Sequence, residues 1–151
     1  MRNLLISLAL TLALSASAFA AHRSTPEEAK AFFDMAIATY ASQGRDAALA
    51  EFNQPEGKFN KGDLYVFAID TEGTYLASGA NPNLKGTPLK GTNDAAGKSI
   101  YDIIMATLDK VDNKAGTIEY KWLNRQTNQV EDKTSYVQQI NDVIIGVGYY
   151  H

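Results

Sequence analysis

The sequence predicts an α+β domain with helices packed on a five-stranded antiparallel sheet, and three observations lead there. Apolar residues recur at helical spacing between Thr25 and Gly44, and again from Ile100 to Leu108. Five runs rich in β-branched and aromatic residues come in two groups, two runs and then three. Links within each group are short, which makes neighbouring strands antiparallel, and a helix separates the groups.

The chain opens with Arg2, an apolar stretch from Leu4 to Leu14, and Ala18-Phe19-Ala20 as a small-x-small cleavage site. This is the layout of an export signal, so residues 1–20 are expected to be removed. The apolar stretch is about half of the roughly 20 residues a membrane-crossing helix needs. No cysteine stands at the cleavage region to carry a lipid, and no direct membrane anchor is expected. The reading is a single periplasmic domain over residues 21–151, with N-terminal helices at 25–52 and a sheet core at 63–150.

Thr25-Pro26-Glu27-Glu28 reads as a helix start, with Thr25 as N-cap, Pro26 in the first turn and Glu28 closing a capping box. Phe32, Phe33, Ala36, Ile37 and Tyr40 then mark one face of a long helix, and Gly44 stops it. A short helix from about Asp46 to Phe52 follows, then a loop from Asn53 to Gly62. Leu64 to Asp70 and Thr74 to Ser78 flank the turn Asp70-Thr71-Glu72-Gly73 and form a hairpin. Gly79 to Gly97 holds four glycines, two prolines and three asparagines, a loop of the kind that lines sites. After the helix at Ile100 to Leu108, a meander runs through Thr117 to Leu123, Lys133 to Ile140 and Val143 to Tyr150.

Composition narrows the chemistry. Losing Arg2 with the leader takes the 14 basic side chains to 13 against 17 acidic ones, a formal charge of −4, so nucleic acid is not an expected partner. The chain has no cysteine, and its two histidines, His22 and His151, sit at the ends of the mature chain. Serine, cysteine and histidine nucleophilic catalysis and ordinary zinc sites are thereby disfavoured. Asp70, Glu72, Asn93 and Asp94 do not fall in a calcium-loop pattern. Gly79, Gly86, Gly91 and Gly97 lack the spacing and lysine of a phosphate loop. No catalytic residue, metal or cofactor is expected.

What remains is a set of aromatic residues near a strand lysine: Tyr65 and Phe67, Tyr120 and Trp122, and Lys133 with Tyr136. Period-two alternation puts Tyr65 with Phe67, and Tyr120 with Trp122, on one face of their strands. Core packing accounts for Phe67 and Ile118. Buried hydroxyls, an indole N–H and a lysine would all be satisfied by a small carboxylate. Periodicity alone leaves Lys133 as readily a solvated head at the sheet edge.

Several motifs in fixed order bear on that choice. They are DLYVFAIDTEGTYLASGANPNLKG from Asp63 to Gly86, D-x-x-GK from Asp94 to Lys98, GTIEYKWLN from Gly116 to Asn124, KTSYVQQI from Lys133 to Ile140, and VIIGVGYY from Val143 to Tyr150. Together they resemble a single Cache domain of the type-2 class, a family of extracytoplasmic sensor modules. The resemblance implies a PAS-like sheet with a long N-terminal helix and a ligand such as acetate, propionate, pyruvate or lactate, with no enzymatic reaction. It implies Lys133 and Tyr136, Tyr120 and Trp122, and secondarily Tyr65 as ligand contacts. Where the family often has His-Pro this chain has Ser78-Gly79, and Ser78 is the expected substitute donor. Such domains usually form the outer part of chemoreceptors or histidine kinases. Here no membrane helix or transmitter is evident, so a membrane receptor, kinase or transporter is the expected partner in signal transduction or chemotaxis. The alternatives are a ligand-free interaction protein and a metal-free enzyme.

Overall fold

The computed structural model describes residues 22–151, and the expected export signal at residues 1–20 lies outside them. Helix α1, Pro26–Gln43, begins on the expected capping box. The Glu28 N–H donates to Thr25 Oγ1 at 3.2 Å, and the Thr25 N–H donates to the Glu28 carboxylate at 2.8 Å. Gly44, at φ 83°, ends the helix and turns the chain into α2, Arg45–Phe52. Among the described residues no helix is long and apolar enough to cross a membrane.

The sheet has six antiparallel strands. They are β1 (Asn60–Lys61), β2 (Leu64–Asp70), β3 (Tyr75–Ser78), β4 (Ala115–Asn124), β5 (Gln129–Ile140) and β6 (Val143–Tyr150). Along the sheet the order is β1-β2-β6-β5-β4, with β3 also paired to β2, so the first hairpin and the last strand of the meander meet in the middle. This is the PAS-like arrangement. The sixth strand, β1, is an addition to the five expected. With two residues it is too short to show periodicity, and it exists because Phe59 C=O accepts from Val66 N–H and draws the loop onto β2.

Strands β4 and β5 also run further than their apolar pattern suggests. The run Gln129 to Asp132, polar but for an exposed Val130, pairs residue by residue with Asn124 to Lys121, leaving only four residues in the turn. Lys121 Nζ reaches Asp132 Oδ1 at 2.6 Å across the pair. The β5–β6 turn is the two-residue Asn141-Asp142, with Asn141 at φ 54° as a tight hairpin requires.

Alternation along the strands divides the core into two layers. One face carries Val66, Ala68, Val143, Ile145 and Val147 against Phe32, Phe33 and Ala36 of α1 and Phe52 of α2. Full burial of a side chain such as Phe52 contributes about 1.5–3 kcal/mol. The other face carries Phe67, Ile69, Ile118, Val137 and Ile144 against α3, Ile100–Leu108, and the loop before it.

Asp94 ties that loop to the edge strand. Its carboxylate accepts the backbone N–H of Lys121 at 2.9 Å, Lys98 at 2.8 Å and Ala96 at 2.9 Å. The Lys121 N–H, followed by those of Lys98 and Ala96, outweighs desolvation and holds the carboxyl below its usual range. Unfolded Asp94 takes up a proton that the folded protein refuses, so its stabilising effect is present above the ordinary aspartate range and is lost as pH falls through the lowered value. Asp94→Ala is expected to lower the urea midpoint at neutral pH with an unchanged slope, and to flatten this part of the acid limb. An unchanged midpoint would show the tie to be dispensable.

Candidate functional site

Tyr65 and Phe67 from β2, Tyr120 and Trp122 from β4, and Tyr75 and Ser78 from β3 wall a cavity of about 200 Å³ on the α3 side of the sheet. The loop after β3 adds Ala80, Asn81, Leu84 and Leu89 to its walls, and Ile100 at the start of α3 also lines it. A more polar cavity of about 290 Å³ adjoins it, sharing Tyr65, Ala80 and Arg125 and adding Asp63, Asn124 and Tyr150 among its walls.

Lys133 lies behind this wall. Its side chain is 1% exposed, so the solvated-head reading gives way to a buried cation. The ammonium donates to the Tyr65 hydroxyl at 2.8 Å and, more weakly, to that of Tyr150 at 3.4 Å. It sits 4.1 Å from the Tyr65 ring centroid and 4.6 Å from that of Tyr150. Among the described residues it makes no ion pair with a carboxylate. Burial pushes its pKa below the ordinary lysine value, against the opposing influence of Tyr120 and Asp63. Asp63 is itself engaged by the backbone N–H and hydroxyl of Ser24.

Two glycines of β6 make room on this face. Phe67 lies over Gly146, and the Lys133 stem crosses Gly148. Crossing β6 there brings Lys133 between the two tyrosines.

The Tyr65 hydroxyl oxygen accepts from the Lys133 ammonium. Burial raises the pKa of Tyr65, Tyr75, Tyr120 and Tyr150, so all four are neutral hydroxyl donors near pH 7. The Tyr120 hydroxyl pairs with Ser135 Oγ at 3.0 Å, and the Tyr150 hydroxyl donates to the Leu123 carbonyl at 2.8 Å. Trp122 packs edge-on to Tyr120 with ring centroids 6.0 Å apart. Ser78 is buried on the cavity wall, and its Oγ accepts from Asn81 N–H at 3.3 Å.

Of the residues expected at the site, Tyr65, Ser78, Tyr120 and Trp122 line the cavity and Lys133 reaches it through Tyr65. Tyr136 does not belong with them. Three residues after Lys133 on a strand is the opposite face, so Tyr136 packs on Phe33 of α1 and on Tyr149, and its hydroxyl donates to the Pro26 carbonyl at 3.3 Å. Arg125 is the residue that sequence reasoning missed. It stands just past β4 with its guanidinium bonded to the Ala80 carbonyl, and lines both cavities. Its only signal in the sequence is a lone cation three residues beyond Trp122, in the link between two strands. Among the described residues no group of three or more His, Cys, Asp or Glu gathers to hold a metal ion.

Comparison with known proteins gives one family and several solved structures of the same fold. A family model described as Single Cache domain 2 matches residues 18–151. No curated protein sequence matches the chain. A methyl-accepting chemotaxis protein from Vibrio parahaemolyticus RIMD 2210633 superposes with a TM-score of 0.68 at 22% identity, covering 82% of this chain and 86% of that one. A periplasmic sensor domain of a chemotaxis protein gives 0.60 at 24% identity over 82% and 88%. A structure described as the basis for carboxylic acid recognition by a Cache chemosensory domain gives 0.58 at 21% identity over 82% and 86%. At these identities the likeness is one of fold.

Proposed function

The chain belongs to the Single Cache domain 2 family, whose members are sensor modules rather than enzymes, and from that premise we propose that it reversibly binds a short organic carboxylate outside the cytoplasm. The observation that carries the reading is the buried ammonium of Lys133 set against the phenol of Tyr65, with Arg125 at the rim of the same cavity. One carboxylate oxygen accepts from Tyr65, whose donor strength rises because Lys133 bonds its oxygen. The guanidinium of Arg125 neutralises the other, and Trp122 with Phe67 keeps water out. Carboxylic acid recognition described for a Cache domain of the same fold supports this choice. A cavity rather than a side-chain-filled interior favours a ligand over the ligand-free interaction reading.

Export through residues 1–20 would put the domain in the periplasm, where it hands its bound state to a membrane receptor, kinase or transporter. A ligand of about six heavy atoms at a best of about 1.5 kcal/mol each gains about 9 kcal/mol, which is micromolar or slightly tighter. Titration calorimetry of the protein without residues 1–20 is expected to show one site for a monocarboxylate. Arg125→Gln is expected to weaken it about tenfold with little change in stability, since the side chain is exposed. Absence of heat with every acid tried, or turnover of the acid by mass spectrometry, would overturn the reading.

A further inference from the structure

The size of the cavity and the charges on its wall say which carboxylate fits. The cavity of about 200 Å³ is large for acetate, which has four heavy atoms. A water takes about 30 Å³ of liquid, so acetate would leave room for several waters against apolar walls; a dry apolar cavity of about 150 Å³ accepts benzene. Phe67, Leu84, Leu89 and Ile100 give the wall its apolar surface, and its polar groups are hydroxyls of Tyr65, Tyr75, Ser78 and Tyr120, the Asn81 amide, the Trp122 indole and the Arg125 guanidinium. Arg125 is the one charged residue on the wall, and no carboxylate lines it. On this wall a second carboxylate of the ligand would find no further cation and an α-ammonium no anion, since Asp63 lines only the adjoining cavity and is engaged by Ser24.

We propose that the site selects a monocarboxylate with a compact apolar body of about five to seven carbons, such as a branched-chain or aromatic acid, over acetate, dicarboxylates and amino acids. The inference rests on the carboxylate reading above and adds the body and the discrimination.

Calorimetry with acetate, butyrate, 3-methylbutanoate, benzoate, glutarate and leucine tests it on the unaltered protein. Affinity is expected to rise about fourfold per added methylene up to 3-methylbutanoate, with benzoate as tight or tighter. Glutarate and leucine are expected at least tenfold weaker than 3-methylbutanoate. Leu84→Phe, which adds volume to a half-buried residue of the cavity wall, is expected to weaken benzoate at least tenfold more than it weakens acetate; equal weakening of the two would overturn the inference. Acetate matching 3-methylbutanoate, or leucine matching it, overturns the inference while the carboxylate reading stands. If 3-methylbutanamide binds as tightly as the acid, or no acid binds, the carboxylate reading fails and the inference fails with it.

Discussion

Lys133→Met is expected to weaken monocarboxylate binding about 30-fold, the equivalent of about 2 kcal/mol, while leaving the fold as stable as before or more so. The two effects separate because the ammonium is buried between tyrosine rings with hydroxyl partners only. Methionine keeps most of the stem's volume and removes a desolvated charge, which relieves the apo protein. The ligand loses the cation that strengthens Tyr65 as a donor. Binding and stability falling together would instead make Lys133 a structural residue.

The same lysine sets a pH signature. Its folded pKa lies below the unfolded value of 10.5, so between the two the unfolded chain holds a proton that the folded chain has released. Apo stability therefore gains from this group as pH rises through that window, and ligand affinity falls over it as the ammonium discharges. Near pH 10 the sign reverses, because unfolded tyrosines ionise while the buried ones stay protonated. Thermal melts across the alkaline range are expected to show the rise in the unaltered protein and to lack the lysine contribution in Lys133→Met. Identical pH profiles would sink the assignment.

Gly148→Ala is expected to cost about 1–3 kcal/mol of stability and at least tenfold in affinity. A methyl there would stand 2.2 Å from Ser135 Oγ, 2.5 Å from Lys133 Cε and 2.9 Å from the Thr134 carbonyl oxygen. The first two are side-chain atoms that can shift, and the shift moves the ammonium off Tyr65. The third is backbone and gives little. In a Lys133→Ala, Ser135→Ala background the same change is expected to cost less. Strictly additive costs would trace the clash to the Thr134 carbonyl alone, and unaltered affinity in the single variant would remove Gly148 from the positioning of Lys133.

Much of the architecture was legible because it rests on local signals. The Thr25 capping box, the hairpin around Gly73 and the Asn141-Asp142 turn write their geometry into a few adjacent residues. Strand β1 and the far ends of β4 and β5 were not legible, since polar residues there pair through backbone and leave no periodicity. At the site, parity correctly grouped Tyr120 with Trp122 and also carried the information that separates Tyr136 from Lys133. Lys133 and Tyr136, which the resemblance pairs at the site, are three residues apart on one strand and so face opposite ways. Arg125 became visible only once the loop after β3 folded over the end of β4, a contact between residues 45 apart in the chain.

Strand β6 serves two tenants. Its even positions, Ile144, Gly146, Gly148 and Tyr150, face the α3 layer and the lysine, and its odd positions Val143, Ile145 and Val147 seat the N-terminal helix. Inserting or deleting one residue would exchange these roles all at once, so descent should confine changes in length to the loops. Substitution is freer: alternate positions can drift to suit a new ligand without disturbing the helix seat. A lineage of such domains can diversify its chemistry on one surface while inheriting the other intact.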